Sequence, residues 1–378
     1  RASCEKAKAA QAKEFRKFLT DRAFTMKGDK IVVAEKATVI KSDPCATFVK
    51  MKMLTSDIHV EKGEADPAMK GRIVMQGCVQ QNQHGQLVRL KEKGAVEQLY
   101  SDPVSQEDLR VALTIAASKG LCTAQVADLS NAYLKSNLRG DAVYATITKN
   151  MFHLFSAHMS EDIGQMYEPV VKIEKACYGL VRSGHDFEAW RNSVLRGLNW
   201  TQHKTIKSIF SRNGTYIVCY VDDLLLLTKS SKHAEKIWTE LRQKAGWEFK
   251  EEPKSASQGY LGMKICFENN DGWAHLCISQ KEYAEHILNK FLEDTGVDPK
   301  KVKKPSAPMT ATSPSGIAGK LGDVARKHLG ALMHLARCTR PDIQMATSCI
   351  ARLSESSICS AGDNHLVVFS PLVTYVSR

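Results

Sequence analysis

The residues of this chain with the clearest chemical potential are two adjacent carboxylates, Asp222 and Asp223, inside an apolar stretch. The residues before them (217–220) and the four leucines after them (224–227) are of types that folding buries. Two anions about 4 Å apart repel by about 4 kcal/mol at an effective dielectric constant near 20, and each loses hydration on burial. Because hard divalent cations bind carboxylate oxygens, a metal ion would compensate both costs.

A third carboxylate is needed to complete such a site, because two cations held about 3.5–4 Å apart require more ligands than one acid pair provides. Asp128 is the candidate, since it ends the strand-like segment Gln125-Val126-Ala127-Asp128. Two alternatives stay open: Asp128 as the N-cap of a following helix, and Asp222-Asp223 as an exposed turn. The three acids together predict a two-metal site of the kind used for nucleotidyl transfer.

The elements around these acids follow from apolar periodicity. Residues 215–227 are predicted to form two short strands with the acid pair at or near their turn, and residues 125–129 another strand. Helices are predicted from residue 105 to Gly120 and over residues 187–198 and 233–246. A mixed α+β domain is therefore expected.

The flanking regions have simpler patterns. We predict a helix over residues 2–19, strand-like structure over residues 30–60, and a strand at Lys70-Gly71-Arg72-Ile73-Val74 with both cations on one face. A hairpin is predicted around Asp271-Gly272, and a helix from residue 323 to 338, with no clear pattern after residue 354. The predicted divisions are an N-terminal extension (1–44), a catalytic unit (45–294), a linker (295–320) and a C-terminal helical segment (321–378).

Composition limits the class of protein and its partners. The chain has 378 residues and a formal net charge of +12, which favours polyanionic partners, nucleic acid first. Its eleven cysteines show no C-x-x-C pair, so a disulfide framework or zinc module is not expected. No signal peptide or membrane-spanning stretch is predicted, so we expect an intracellular protein, cytoplasmic or nuclear and not secreted. Because it starts at Arg1, we expect a fragment or processed product.

The clearest motif is Tyr220-Val221-Asp222-Asp223, with Asp128 upstream in the segment A-D-L-S-N-A-Y-L. Together they resemble the reverse transcriptases of Ty1/copia-type LTR retrotransposons. The similar segments occur in the family's order over about residues 45–353. They are Lys70-Gly71-Arg72-Ile73-Val74, Lys175-Ala176-Cys177-Tyr178-Gly179-Leu180, Gly259-Tyr260-Leu261-Gly262-Met263-Lys264-Ile265, Ile278-Ser279-Gln280-Lys281-Glu282-Tyr283 and Thr339-Arg340-Pro341-Asp342-Ile343.

The resemblance implies a right-hand polymerase fold with fingers, palm and thumb and an antiparallel palm sheet. It implies an RNA-directed DNA polymerase in which Asp128, Asp222 and Asp223 are both catalytic and metal-binding. Magnesium, as two ions, is the expected cofactor, with manganese as a possible substitute. The expected partners are an RNA or DNA template with its primer and deoxynucleoside triphosphates, while the oligomeric state stays open.

The resemblance also assigns residues that contact substrates. Tyr133 would exclude a ribose 2′-hydroxyl, although a core tyrosine is the alternative. Lys70 and Arg72 would bind the triphosphate, or else lie on a solvated strand face. Tyr178 and Gly179 would form the floor of the nucleotide pocket. Gly262 and Lys264 would contact the primer or template.

The chain departs from the family in two segments. Val181-Arg182-Ser183-Gly184-His185 follows Leu180 where the family has Lys-Gln, a small residue and Pro, and the Pro-Pro-Gly-Phe expected after Tyr144 is replaced. No RNase H carboxylate set is expected after the linker. These departures keep a rival open, a catalytically decayed polymerase-fold remnant that only binds nucleic acid. A basic structural protein with an acidic surface turn is the second rival.

Overall fold

The computed structural model describes residues 2–57, 69–88, 99–159, 163–270, 273–296 and 322–357. The helices are α1 (Ala2–Thr20), α2 (Lys36–Ser42), α3 (Gln106–Ser118), α4 (Phe152–Phe155), α5 (Ser183–Gly197), α6 (Ser231–Ala245), α7 (Lys281–Thr295), α8 (Gly322–Cys338) and α9 (Gln344–Ser357). The strands are β1 (Met26–Lys27), β2 (Lys30–Ile31), β3 (Val33–Glu35), β4 (Thr47–Asp57), β5 (Met69–Met75), β6 (Thr123–Asp128), β7 (Val143–Thr146), β8 (Pro169–Ile173), β9 (Thr201–Gln202), β10 (Ile209–Arg212), β11 (Thr215–Tyr220), β12 (Asp223–Thr228), β13 (Lys254–Ser255), β14 (Lys264–Asn270) and β15 (Trp273–Ser279).

A six-stranded antiparallel sheet, in the order β13-β6-β12-β11-β10-β9, carries the three acids. The leucine run of β12 is buried on both faces of this sheet. Leu224 and Leu226 pack in one core with α6, whereas Leu225 and Leu227 pack in a second core with α3. Because both faces are covered, the strand needs apolar residues at every position, which explains why its sequence does not alternate.

A five-stranded sheet has the order β3-β8-β7-β4-β5. Its pairs are antiparallel except for the parallel pair β4 and β7. Phe15 and Phe18 of α1 pack in the same core as Met51 of β4 and Ile73 of β5. Helix α1 therefore helps to hold the strand that carries Lys70 and Arg72.

The hairpin β14–β15 and the C-terminal helices follow the six-stranded sheet. Ile265 of the hairpin is buried in the core that also contains Leu225 and Leu227. Helices α7, α8 and α9 enclose a separate apolar core that includes Phe291, Leu332 and Ile350. Among the described residues, no helix has both the length and the apolar character needed to cross a bilayer.

The predicted elements are largely present, with two differences. The expected strand-like structure over residues 30–60 is interrupted by α2, where Lys36-Ala37 begins a helical turn between β3 and β4. The expected loss of pattern after residue 354 is wrong for its first residues, because α9 continues to Ser357. Most of the predicted linker, from residue 297 onward, lies outside the described residues.

Candidate active site

The three carboxylates predicted from sequence meet at one end of the six-stranded sheet. Asp128 is the last residue of β6 and Asp223 is the first residue of β12, and their Cα atoms are direct cross-strand partners. Asp222 lies in the preceding turn, where its carbonyl oxygen accepts a hydrogen bond of 3.0 Å from the amide of Leu129. Asp128 and Asp223, 95 positions apart, are therefore neighbours because two antiparallel strands end in register.

A buried arginine supports the turn that presents Asp222. Val221 has a φ of 53°, a left-handed conformation that a β-branched residue rarely adopts. Arg191 of α5 is only 2% exposed, and its Nη1 donates a hydrogen bond of 3.2 Å to the carbonyl oxygen of Val221. Glu188, one helical turn earlier, lies 3.8 Å from the same guanidinium. Helix α5 therefore fixes the position of an unfavourable turn.

A lysine from outside the predicted motifs reaches the acids. Nζ of Lys250 lies 2.6 Å from one carboxylate oxygen of Asp128 and 3.3 Å from Oδ2 of Asp222. Its backbone amide also donates to the carbonyl oxygen of Asp128 at 2.9 Å, beside the bridge between Leu129 and Phe249. One positive charge thus lies between two of the carboxylates, which shows that this space accommodates a cation.

Burial and mutual repulsion alter the acidity of this cluster. Burial, together with the charges of Asp222 and Asp128, raises the pKa of Asp223 from 3.8 to about 6. Burial also raises the pKa of Asp128, although its hydrogen bond with Lys250 opposes this effect. Burial lowers the pKa of Lys250, but the hydrogen bond with Asp128 and the nearby anions outweigh it and raise the pKa overall. A bound cation would favour the ionised form of each acid.

A cavity of about 530 Å³ opens beside the acids. Asp128, Asp223 and Lys250 line it together with residues 259–262. This volume is within the range of about 300–1,000 Å³ typical of small-molecule sites. The loop of the G-Y-L-G motif therefore borders the same space as the carboxylates.

The aromatic residues predicted to contact the nucleotide form a continuous row. The rings of Tyr133 and Tyr178 are 4.9 Å apart and nearly perpendicular, and the guanidinium of Arg72 lies 5.6 Å from the centre of the Tyr178 ring. Burial, followed by the negative charge of Asp222, raises the pKa of Tyr133. The same two causes are the largest ones for Tyr178, whose pKa rises to about 12. Both phenols therefore stay neutral donors near the acid cluster.

Backbone hydrogen bonds join strand β5 to the segment that carries Tyr178 and Gly179. The amide of Met75 donates to the carbonyl oxygen of Tyr178 at 2.8 Å, and the amide of Gly77 donates to that of Gly179 at 3.1 Å. Gly179 has a φ of 89°, and a Cβ at this position would lie 2.0 Å from the carbonyl oxygen of Met75. Glycine is required here for both reasons. Lys70 and Arg72 are both exposed on this strand. Partial burial of the Lys70 ammonium group, followed by the charge of Arg72, lowers the pKa of Lys70.

The two residues predicted to contact primer or template have different surroundings. Gly262 lines the cavity, and its carbonyl oxygen accepts a hydrogen bond of 3.2 Å from Nε2 of Gln280. Lys264 begins β14, and its ammonium group is paired with Glu282 at 2.5 Å. The structure therefore brings Gly262 to the acid cluster, while Lys264 is engaged in an ion pair with α7.

Sequence reasoning missed three residues around the site: Lys250, Arg191 and Gln280. Lys250 stands in a polar segment with no motif, so its proximity to Asp128 depends entirely on the tertiary fold. Arg191 follows Trp190 in an amphipathic helix, and only its burial distinguishes it from a surface arginine. Gln280 lies in a quoted motif, but nothing in that motif indicates that its side chain supports Gly262.

The family model described as "Reverse transcriptase (RNA-dependent DNA polymerase)" matches residues 53–304, about two thirds of the chain. The chain belongs to this reverse transcriptase family. The six-stranded sheet is accordingly the palm of a right-hand polymerase fold, and members of the family generally use divalent metal ions.

One curated relative and one solved structure extend the comparison. The chain is 25% identical over 276 residues to the retrovirus-related Pol polyprotein from transposon TNT 1-94 of Nicotiana tabacum, covering 69% of this chain and 19% of the relative. The predicted resemblance to copia-type retrotransposon reverse transcriptases is thereby confirmed. A foamy viral protease–reverse transcriptase in complex with double-stranded DNA matches with a TM-score of 0.41 and 16% identity, covering 82% of this chain and 41% of that one. The chain spans about a fifth of the curated relative's length.

Proposed function

We propose that this chain catalyses RNA-directed DNA synthesis as the polymerase unit of a copia-type retrotransposon. The observation that carries the proposal is the in-register pairing of Asp128 with Asp223, beside Asp222 in the adjoining turn. An acid cluster at the end of apolar strands costs electrostatic energy that folding alone does not recover. The proposed partners are an RNA or DNA template with its primer, and deoxynucleoside triphosphates.

The three carboxylates fit divalent magnesium. Their oxygens are hard ligands, and the ammonium group of Lys250 already takes a cation's place between Asp128 and Asp222. Asp128, Asp222 and Asp223 would hold two ions, with manganese as a substitute. When bound, the metal supplies a lower pKa for the primer 3′-hydroxyl and compensation of phosphate charge.

The chain's own residues position the nucleotide for the transfer. The primer 3′-oxygen forms a bond to the α-phosphorus while the bond to the β-phosphate oxygen breaks, so that pyrophosphate leaves. Lys70 and Arg72 lie exposed on β5, and they would bind triphosphate oxygens as a point charge and a planar fork. Tyr178 and Gly179 would support the incoming base pair, since Gly179 allows close backbone approach.

Tyr133 is proposed to select deoxyribose. Its ring is held in contact with both Tyr178 and Phe187, at centroid distances of 4.9 and 5.7 Å. A ring fixed on two sides cannot move aside for an additional 2′-hydroxyl. Gly262 is proposed to border the primer terminus from the other side of the cavity, and Lys264 to bind a primer phosphate after exchanging its ion pair with Glu282.

Primer extension tests the proposal. The purified chain should incorporate deoxythymidine on a poly(rA) template with an oligo(dT) primer in magnesium, and Asp222→Asn should lose this activity. Asp29→Asn, in the exposed turn between β1 and β2, is the matched control and should retain it. Equal incorporation by the wild type and Asp222→Asn would contradict the proposal.

Binding and primer extension measured together distinguish the active polymerase from a catalytically decayed remnant. A remnant would bind primer–template with an affinity that falls with salt concentration, yet it would extend no primer in magnesium or manganese. The active enzyme would show the same salt dependence together with extension.

A further inference from the structure

The hairpin of β14 and β15 presents two chemically different faces. Ile265, Phe267, Leu276 and Ile278 face the palm core, with Ile265 fully buried and the other three packed against it. Because successive strand residues point to opposite sides, the alternate positions lie on the outer face. The outer face carries metal-ligating residue types: Cys266, Glu268, His275 and Cys277.

The strand register brings these four residues together in pairs. Cys266 is the direct cross-strand partner of Cys277, and Glu268 is the direct partner of His275. The ligand atoms of Cys266, Glu268 and Cys277 all lie within 4.8 Å of one another. Two sulfurs bound to one tetrahedral zinc ion are about 3.8 Å apart, given Zn–S bonds of about 2.3 Å. The three donors therefore need only small rotamer changes to share an ion.

We propose that this outer face binds one thiophilic divalent metal ion, zinc by preference, through Cys266, Cys277 and Glu268, with His275 completing the set. On binding, each thiol releases its proton to solvent and the sulfur lone pairs form the two metal–sulfur bonds, with no change of oxidation state. Thiolate, imidazole and carboxylate donors in a set of four are typical of zinc sites.

The proposed site differs in chemistry from the palm acids. Asp128, Asp222 and Asp223 offer only hard oxygen donors, which suit magnesium, whereas the hairpin offers two soft sulfurs. A two-stranded hairpin has little stability alone, so a metal that joins its strands would stabilise the region that carries Lys264. Lys264 shares the outer face, two residues before Cys266.

Cobalt absorption tests the site, because thiolate ligands give cobalt an intense charge-transfer band and tetrahedral coordination gives strong visible bands. The reduced, metal-free chain should develop both bands with one equivalent of cobalt, and zinc should abolish them. The double variant Cys266→Ser/Cys277→Ser should show neither band. The double variant Cys45→Ser/Cys78→Ser removes two exposed cysteines elsewhere and should behave as the wild type.

Two further variants protect the test against misfolding of the cysteine variant. Glu268→Gln and His275→Ala change exposed side chains, and each should weaken cobalt binding at least tenfold. Asp222→Asn should leave the cobalt spectrum unchanged, which distinguishes this site from the polymerase centre. Cobalt bands that persist in Cys266→Ser/Cys277→Ser would overturn the proposal. So would a reduced wild-type chain that binds no cobalt, or one whose Cys266 and Cys277 simply oxidise to a disulfide without ever binding metal.

Discussion

Lys250 illustrates how one side chain can tune the acid cluster. Its ammonium group contacts Asp128 and Asp222 where a divalent cation would bind. Without this positive charge the carboxylates repel one another, so Lys250→Met should lower the stability of the metal-free chain. The variant should also bind manganese more tightly than the wild type. We expect a gain of about tenfold in manganese affinity, or about 1.4 kcal/mol. Electron paramagnetic resonance of free manganese measures the affinity directly.

The matched control for this prediction is Lys254→Met. Lys254 lies in β13 beside β6 and pairs with Glu251 rather than with the palm acids. Its manganese affinity should equal that of the wild type. If Lys250→Met also binds manganese no better than the wild type, Lys250 does not compete for the site.

The ionisation of Asp223 affects the free energy of unfolding. Since burial and nearby acids raise its pKa from 3.8 to about 6, the ionised form costs stability above pH 6, and this cost disappears below about pH 4. Such a shift corresponds to about 3 kcal/mol, which solvent screening of this partly exposed group reduces to about 1 kcal/mol. Asp223→Asn should therefore stabilise the metal-free chain at pH 7.5.

Thermal unfolding in EDTA at pH 7.5 and pH 5.0 tests this prediction. The gain from Asp223→Asn should be larger at pH 7.5 than at pH 5.0, because the wild-type carboxyl is mostly protonated at the lower pH. Asp29→Asn, exposed in its turn, should change stability little at either pH. A loss of stability for Asp223→Asn at pH 7.5 would refute the assigned direction.

Strand β5 contacts the segment before α5 at Gly179, and this contact should be the one most sensitive to an added side chain. An added Cβ would collide with the carbonyl oxygen of Met75, and the φ of 89° disfavours any side chain. Together these effects predict that Gly179→Ala lowers the free energy of unfolding by about 3 kcal/mol. Urea unfolding measures the change.

Gly85→Ala separates the two causes. Gly85 also has a positive φ, 76°, but its added Cβ would meet no atom within 4 Å. Gly85→Ala should lower the free energy of unfolding by only about 1 kcal/mol, from backbone strain alone. Equal losses for the two variants would show that the close approach to Met75 contributes nothing.

Elements near the acids could be predicted from sequence because their signals are local. The apolar run of β11 and β12 broken by Asp222-Asp223 indicates two strands and a turn, and Asp-Gly indicates the β14–β15 hairpin. The prediction that Asp128 joins the pair rested on the need for a third carboxylate and on its position in an apolar, strand-like segment, and the family resemblance supported it. The pairing register that brings it opposite Asp223 is a property of the folded sheet.

Other features depend on contacts that no local pattern encodes. Helix α2 forms within a strand-like region because β3 and β4 belong to opposite parts of one sheet and need a connection. The lysine between the acids arrives on the segment after α6, directly after Phe249, and the bridge partner of Phe249 is Leu129, 120 residues earlier in the chain. The roles of Lys70, Arg72, Tyr133 and Lys264 stay predictions that only substrate-bound experiments test.

Gln280 joins the C-terminal helices to the palm. Its Nε2 donates to the carbonyl oxygen of Gly262 at 3.2 Å, while its Oε1 accepts from the hydroxyl of Thr339 at 2.9 Å. The side chain is only 6% exposed. One residue thus connects the cavity loop, the start of α7 and the end of α8.

Gln280→Leu should uncouple these parts while leaving the acid cluster intact. It leaves a carbonyl and a hydroxyl without their partner, which costs about 1–3 kcal/mol. Because the helices then hold the cavity loop less firmly, we expect faster amide hydrogen exchange in α8 and several-fold weaker primer–template binding, with unchanged manganese affinity. Gln243→Leu, exposed on α6, is the matched control and should alter none of the three. Unchanged exchange in α8 together with unchanged duplex affinity in Gln280→Leu would mean that the helices keep their place through other contacts, such as the bond from Arg110 to the carbonyl oxygen of Cys338.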